Sequence, residues 1–203
     1  MSVNINASTT NGLVLTSDTS GEIKLQANGA DIATVDSSGI TMASGKGLAA
    51  TGHVLQVVSS TKTDTFSSVA STFTDVTGLS VSITPTALSS KILVTYNVFA
   101  GEFTNQFQML RLVRNSTPIG IGDASGSRQQ TTTSSWTAGL VNSHSIQSAS
   151  FLDSPASVSS LTYKIQILGQ AGSTTYINRI QRDDNAAYEP RGISSITVME
   201  IAG

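Results

Sequence analysis

Apolar residues in this chain recur at every second position, and nowhere do they keep a 3.6-residue spacing over a helical length. Period two is the mark of a strand with one covered face, because successive side chains point to opposite sides of a sheet. The pattern is clearest in "TYKIQIL" (162–168), where Ile165 and Ile167 share one face and Lys164 and Gln166 the other. Turn residues cut the alternation from Val54 onward into strands at 54–60, 73–84, 91–100, 107–115 and 118–122, then 135–146, 148–153, 161–170, 175–180 and 193–202. The segment 73–84 is either two strands or one with a bulge at Gly78, and 91–100 has apolar residues on both faces. Many strands at this spacing predict an all-β fold, an antiparallel β-sandwich or jelly roll. Pro85 and the stretch "DSPASVSS" (153–160) mark connections between strands. The last strand runs to within two residues of Gly203 and ties that end into a sheet.

Residues 1–53 have a different rhythm. Apolar anchors Leu13/Leu15, Ile23/Leu25, Ile32/Val35, Ile40/Met42 and Leu48 alternate with turn glycines Gly12, Gly21, Gly29, Gly39 and Gly45. Asn11-Gly12 and Asn28-Gly29 are tight-turn signals, since both residue types tolerate positive φ. The segment has no aromatic ring and too few large apolar side chains to enclose a core of its own. A degenerate strand-plus-turn repeat of this kind stacks because no unit buries its face alone. The cover is expected from sister chains, each giving one apolar side chain per layer at a shared axis. A flexible tether is the other reading of this segment, and the regular anchors argue for the structured one. The division expected is therefore a β-structured stalk or attachment segment over 1–53 and a separate head domain over 54–203.

Composition removes whole classes of function. Only 12% of the 203 residues are charged, about half the usual share, and the net charge is −2 with no basic cluster. A nucleic-acid binder needs clustered Lys and Arg, so none is expected as partner. The absence of cysteine removes disulfides, thiolate metal sites and a Cys nucleophile. The start "MSVNINASTTNG" has neither a basic nor an apolar leader region, and no run of 18 apolar residues occurs. Synthesis in a cytoplasm without a signal peptide, and no membrane insertion, are the expectations. "GITMASGKG" (39–47) has five residues before Gly-Lys where a phosphate loop needs four, and Gly47 where it needs Ser or Thr. "GIGDASG" (120–126) lacks the third glycine and the helix of a dinucleotide fingerprint. The two histidines, His53 and His144, have no ligand-spaced neighbours. "RDDNAAYEPRG" (182–192) offers Asp183, Asp184 and Asn185 as oxygen ligands, but also arginines to pair with them, and ion pairing in a solvated turn is the favoured reading. Glu102, Asp153, Asp183, Asp184 and Glu189 sit in no recognisable catalytic context, and no Gly-x-Ser-x-Gly elbow exists. No catalytic residue, metal site or cofactor is assigned, and the chain is expected not to be an enzyme.

Aromatic residues beside amides are what a sugar-binding surface offers. "EFTNQFQ" (102–108) and "QQTTTSSW" (129–136) have that composition, which makes Phe103, Asn105, Gln129 and Trp136 candidate receptor contacts. Phe107, Tyr176 and Tyr188 are the other aromatics of interest. The competing reading places such rings in the sandwich core or a threefold interface.

"GLVLTSDTSGEIKLQANGADIATVDSSGITM" (12–42) resembles shaft and linker segments of tailed-phage fibre proteins, where short strands from three chains wrap one axis. "VLQVVSSTKTDTFSS", "FTDVTGLSVSITPTALSSKILVTYNV", "RLVRNSTPIGIGDASGSR", "FLDSPASVSSLTYKIQI" and "YINR" with "DDNAAYEPRGISSITVMEIAG" resemble a globular module of marine and cyanobacterial phage structural proteins. The resemblance implies a homotrimeric virion protein with a jelly-roll head like that of tumour-necrosis-factor-type trimers. It implies a tail or head fibre component that attaches the particle to its host, with a trimeric capsid decoration (cement) protein as the alternative. It further implies contact with other virion proteins through the N-terminal segment and with a host surface glycan or outer-membrane receptor. A polysaccharide depolymerase is disfavoured by the short length and the lack of an acidic cleft.

Overall fold

The computed structural model describes residues 21–44, 46–47, 50–101, 106–137 and 143–203. The anchors Leu13, Leu15 and Leu48 and the Asn11-Gly12 turn lie outside the described residues. The chain divides into two compact units between residues 49 and 50. Every regular element among the described residues is a strand, so the fold is all-β.

The smaller unit contains an antiparallel meander of β1 (Ile23–Ala27), β2 (Ala30–Asp36) and β3 (Gly39–Met42). Asn28 and Gly29 both take positive φ (50° and 76°), the two-residue turn whose twist matches that of its flanking strands. The second turn is held by Asp36, whose Oδ1 accepts from the backbone N–H of Ser38 at 2.8 Å. Register puts Ile23, Val35 and Ile40 in one row and Leu25, Ala33 and Met42 in the next. These six residues share a face, because directly paired residues point the same way. Lys24, Thr34 and Thr41 form the row between them on the opposite face. Leu25 is 50% and Ile40 70% exposed, whereas Ala33 is buried and Ile23, Val35 and Met42 are half-buried, so the apolar face lies open only at Leu25 and Ile40.

The larger unit is a sandwich of β4 (Val54–Lys62), β5 (Phe66–Ser68), β6 (Thr74–Ile83), β7 (Lys91–Gly101), β8 (Gln106–Arg114), β9 (Thr117–Ile119), β10 (Thr133–Thr137), β11 (His144–Asp153), β12 (Leu161–Gly169), β13 (Thr175–Ile177) and β14 (Ser194–Ile201). One sheet runs β10-β8-β12-β6, with β9 on β8. The other runs β4-β14-β7-β13-β5, with β11 on the free edge of β7. Setting aside the short β5, β9 and β13 and counting the rest in chain order, the sheets read 1-8-3-6 and 5-4-7-2. That order is the jelly roll, two sheets wound as Greek keys. Leu79, Ile92, Val94, Val98, Leu110, Leu112, Tyr163, Ile165, Ile167, Ile196 and Val198 fill the space between them. Each fully buried aliphatic side chain contributes roughly 1.5–3 kcal/mol.

Several strands differ from those read in the sequence. The segment 73–84 takes the second of its two readings, one bulged strand over Thr74–Ile83, whose register against β12 passes from Lys164↔Ser80 to Gln166↔Asp75. The bulge lies at Thr77-Gly78, with Gly78 at φ 87°, and lets Val76 and Leu79 both face inward despite their odd spacing. Of the strand expected over 135–146, residues 135–137 belong to β10, 138–142 lie outside the described residues, and His144 opens β11, which runs unbroken to Asp153. Its inward positions include Gln147 and Asp153, whose polarity hid the alternation. The strand expected over 175–180 stops at Ile177 because Asn178 turns left-handed, with φ 63°. That over 118–122 shrinks to Thr117–Ile119, ahead of a left-handed Gly120. The short β5 was not anticipated.

Three buried polar clusters pin the sandwich. Asp153 Oδ1 and Oδ2 accept from Arg114 Nη1 at 2.8 and 2.7 Å, and the Tyr163 hydroxyl donates to Oδ2 at 2.7 Å. Burial, and then the Asp153 carboxylate, push the Tyr163 phenol far above its ordinary range. Asn178 donates from Nδ2 to the carbonyls of Lys62 (2.8 Å) and Asp64 (2.9 Å) and accepts from Ser194 Oγ (2.6 Å). Its left-handed backbone is one that Asn tolerates and most residues resist. Glu200 is fully buried, yet its donors all come from uncharged groups. Gln56 Nε2 donates to Oε2 (2.6 Å), while Ser90 Oγ (2.6 Å) and the N–H and Oγ1 of Thr86 (2.7 Å each) donate to Oε1. Burial alone would raise this carboxyl, but those donors outweigh it and the pKa falls below the ordinary 4.5.

Asn178→Ala strands two buried carbonyls and is expected to cost about 2–3 kcal/mol in urea unfolding, and a loss no larger than measurement error would contradict this. A depressed folded pKa makes the Glu200 contribution present above the unfolded value and lost as pH falls through the folded one. Glu200→Gln is therefore expected to destabilise by about 2 kcal/mol at pH 7. The deficit should shrink as the pH falls below about 4.5, where the unfolded carboxyl takes up its proton, and be lost once the folded carboxyl, held below that value, is protonated as well. A gap between the two proteins that stays constant from pH 7 to pH 3 would exclude this role.

Candidate recognition surface

Trp136 points outward from β10 and is 65% exposed. The strand beneath it is fixed by its inward residues. Thr133 Oγ1 lies 2.9 Å from the Tyr96 hydroxyl, and Ser135 Oγ accepts from Gln147 Nε2 at 3.0 Å. Gln147 Nε2 also reaches Gln108 Oε1 at 3.3 Å. Trp136 pairs with Phe107 of β8 and stacks on it, with ring centroids 6.4 Å apart at 26°. The next outward rung is Ser134, Met109 and Leu168, and the one beyond carries Arg111, Gln166 and Asp75.

That last rung is a closed network. Arg111 lies over the Phe73 ring at 3.9 Å and donates from Nε to Gln166 Oε1 at 2.8 Å. Gln166 Nε2 and Lys164 Nζ each donate to Asp75 at 2.6 Å. Partial burial opposes ionisation of Asp75, but the Lys164 and Gln166 donors prevail and hold its pKa below the usual range. The whole is an exposed aromatic platform bordered by hydrogen-bonding groups, a composition suited to stacking on a sugar face.

Of the residues singled out in the sequence, Gln129 is exposed in the loop leading into β10. Its neighbours shape that loop: Gln130 Nε2 donates to the Gly122 carbonyl at 2.6 Å. Phe103 and Asn105 lie outside the described residues, as does Glu102. Phe107, one of the aromatics noted in the sequence, is the stacking partner of Trp136. Met109, Arg111 and Gln166 were missed, although the alternation of "QFQMLRLVR" (106–114) places Phe107, Met109 and Arg111 on one face.

The acidic stretch is committed to arginines. Asp183 accepts from Arg179 Nη1 (3.1 Å) and from Arg191 Nη2, and Asp184 from Arg182 Nε (2.7 Å). Glu189 accepts from the backbone N–H of Asp184 at 2.6 Å, and its Oε1 lies 3.0 Å from Arg182 Nε. Asp183, Asn185, Ala186, Glu189 and Arg191 border a shallow depression of about 200 Å³. Among the described residues no group of three or more His, Cys, Asp or Glu is arranged to hold a metal. His144 stacks on Phe99 at 4.6 Å, and the backbone of His53 bonds Ala50 and Ala202.

No family model matches the chain, and no curated protein matches it. Among solved structures it is similar to the VP2 subviral particle of infectious bursal disease virus, with 13% identity and a TM-score of 0.45 over 89% of this chain. It is also similar to the Gx strain of that virus, with 15% identity and a TM-score of 0.42 over 90% of this chain. The chain spans 38% and 39% of the length of those two proteins.

Proposed function

We propose that this chain is a structural protein of a virion: a homotrimeric tail or head fibre component of a tailed phage, attaching the particle to its host. The incompletely covered apolar face of the β1–β3 meander carries this reading. Rows Ile23–Val35–Ile40 and Leu25–Ala33–Met42 form an apolar sheet face that still exposes Leu25 and Ile40, in a chain whose other unit has a complete core. Two sister chains around one axis would close that face symmetrically and protect its strand edges. The resemblance of 12–42 to fibre shafts supports the same arrangement. In this reading the first segment joins the other virion proteins, and the jelly roll presents the Trp136 platform to a surface glycan or outer-membrane receptor. Fold alone assigns no activity, and the surface groups described serve binding rather than bond cleavage.

Light scattering on the full chain is expected to give three times its 21.0 kDa mass, and a concentration-independent monomer would overturn the trimer. Trp136→Ala removes an exposed ring and is expected to change stability by less than about 1 kcal/mol. Binding to an array of bacterial surface glycans should fall at least tenfold. Unchanged binding would remove Trp136 from recognition. Counting copies per particle by gel densitometry separates a fibre, present in dozens, from a decoration protein, present in hundreds.

A further inference from the structure

The β4-β14-β7-β11 sheet has an outward face unlike the rest of the surface. Register aligns its residues in straight rows across all four strands. Val57, Met199, Leu93 and Leu152 form one row, all apolar, with Val57 56% and Leu152 55% exposed. The next row is Ser59, Thr197, Thr95 and Ser150, and the one after is Thr61, Ser195, Asn97 and Ser148. Ser59 Oγ and Thr197 Oγ1 lie 2.8 Å apart within the middle row. Beyond the third row the face turns apolar again at Phe99 and Ile146. None of the twelve residues in the three full rows is charged, whereas the outward face of the opposite sheet carries Asp75, Lys164 and Arg111.

We infer that this face is a self-interface, on which a second copy of the chain packs its jelly roll. The inference rests on the homo-oligomer proposed above and identifies where the larger units meet. Three features select an identical copy as the occupant. The three rows can be buried without stranding an ion, whose desolvation would cost several kcal/mol; the nearest charge on this face is Lys91, at its edge, where Nζ donates to Ser154 Oγ at 3.0 Å. Hydroxyls both donate and accept, so these rows of Ser and Thr can hydrogen-bond another copy in the rotated orientation that a threefold axis imposes, without exact pairing of like rows. The patch also has the needed scale. Four strands about 4.8 Å apart, followed for some eight residues at about 3.3 Å each, give roughly 500 Å² in projection. Standard interfaces bury about 800 Å² of accessible surface per partner, and accessible area exceeds a flat projection.

The chain has no cysteine, so a single introduced thiol reports on its surroundings without background. Ser150→Cys places it in the middle row, and Ser82→Cys places it among exposed residues on the opposite sheet. In the native full chain, Ser150→Cys is expected to react with a bulky maleimide at least tenfold more slowly than Ser82→Cys, and equally fast in denaturant. Adding Leu152→Asp to Ser150→Cys should restore the fast rate with the unfolding transition retained. Equal native rates in a chain that scatters as an oligomer would overturn this interface and leave the trimer standing. A chain that scatters as a monomer would overturn both.

Discussion

The larger unit depends on burial of the central strand of one sheet against the central strand of the other. β7 is paired on both edges, by β14 and β13 on one side and β11 on the other. β12 is paired by β8 and β6. Ile92, Val94, Tyr96 and Val98 from the first meet Tyr163, Ile165 and Ile167 from the second in one cluster. A slip of one residue in β12 would turn Lys164 and Gln166 into that layer and push Ile165 and Ile167 out. Register at the two central strands therefore propagates to the edges, and it settles which residues are free to face a partner.

The fold was legible wherever apolar and polar residues alternate cleanly, as in β12. It was obscured where an inward position is polar. Glu200 shows why: in "ITVMEIA" (196–202) apolar residues occupy both faces, and nothing local says that Val198 and Glu200 point inward while Met199 and Ile201 point out. The donors that make a buried carboxylate tolerable come from Gln56, Thr86 and Ser90, more than a hundred residues away in the chain. Gln147 hid the continuity of β11 in the same manner, since its partners Ser135 and Gln108 belong to the other sheet. The candidate surface around Trp136 was half legible. A single Trp in a polar sequence is easily noticed, but its stacking on Phe107 is set by strand register, which a propensity pattern does not encode.

The two outward faces of the sandwich differ in a way the core does not require. On the β10-β8-β12-β6 sheet, charges are present but neutralise one another, with Asp75 held between Lys164 and Gln166 and Arg111 laid over Phe73. Ion pairs of this kind add little stability, and their effect is to keep a face hydrated around the exposed aromatic platform. On the other sheet, hydroxyl rows take the place of charges. A hydrated face suits reversible contact with a polar ligand, and a neutral one suits permanent burial. The division of charge between the faces thus matches the two roles proposed for them.

The small unit completes this logic from the opposite direction. A three-stranded meander with one apolar face gains little by folding alone, because Leu25 and Ile40 stay exposed after the strands have formed. Burying Leu25 and Ile40 fully would add roughly 1.5–3 kcal/mol for each side chain. In a threefold assembly each of the three chains makes that gain on top of its own ordering cost, so association adds burial without ordering the strands a second time. Such a segment is stabilised by whatever binds its folded form, to an extent set by protomer concentration. In the proposed trimer, the folding of the stalk and the assembly of the particle component are therefore a single equilibrium.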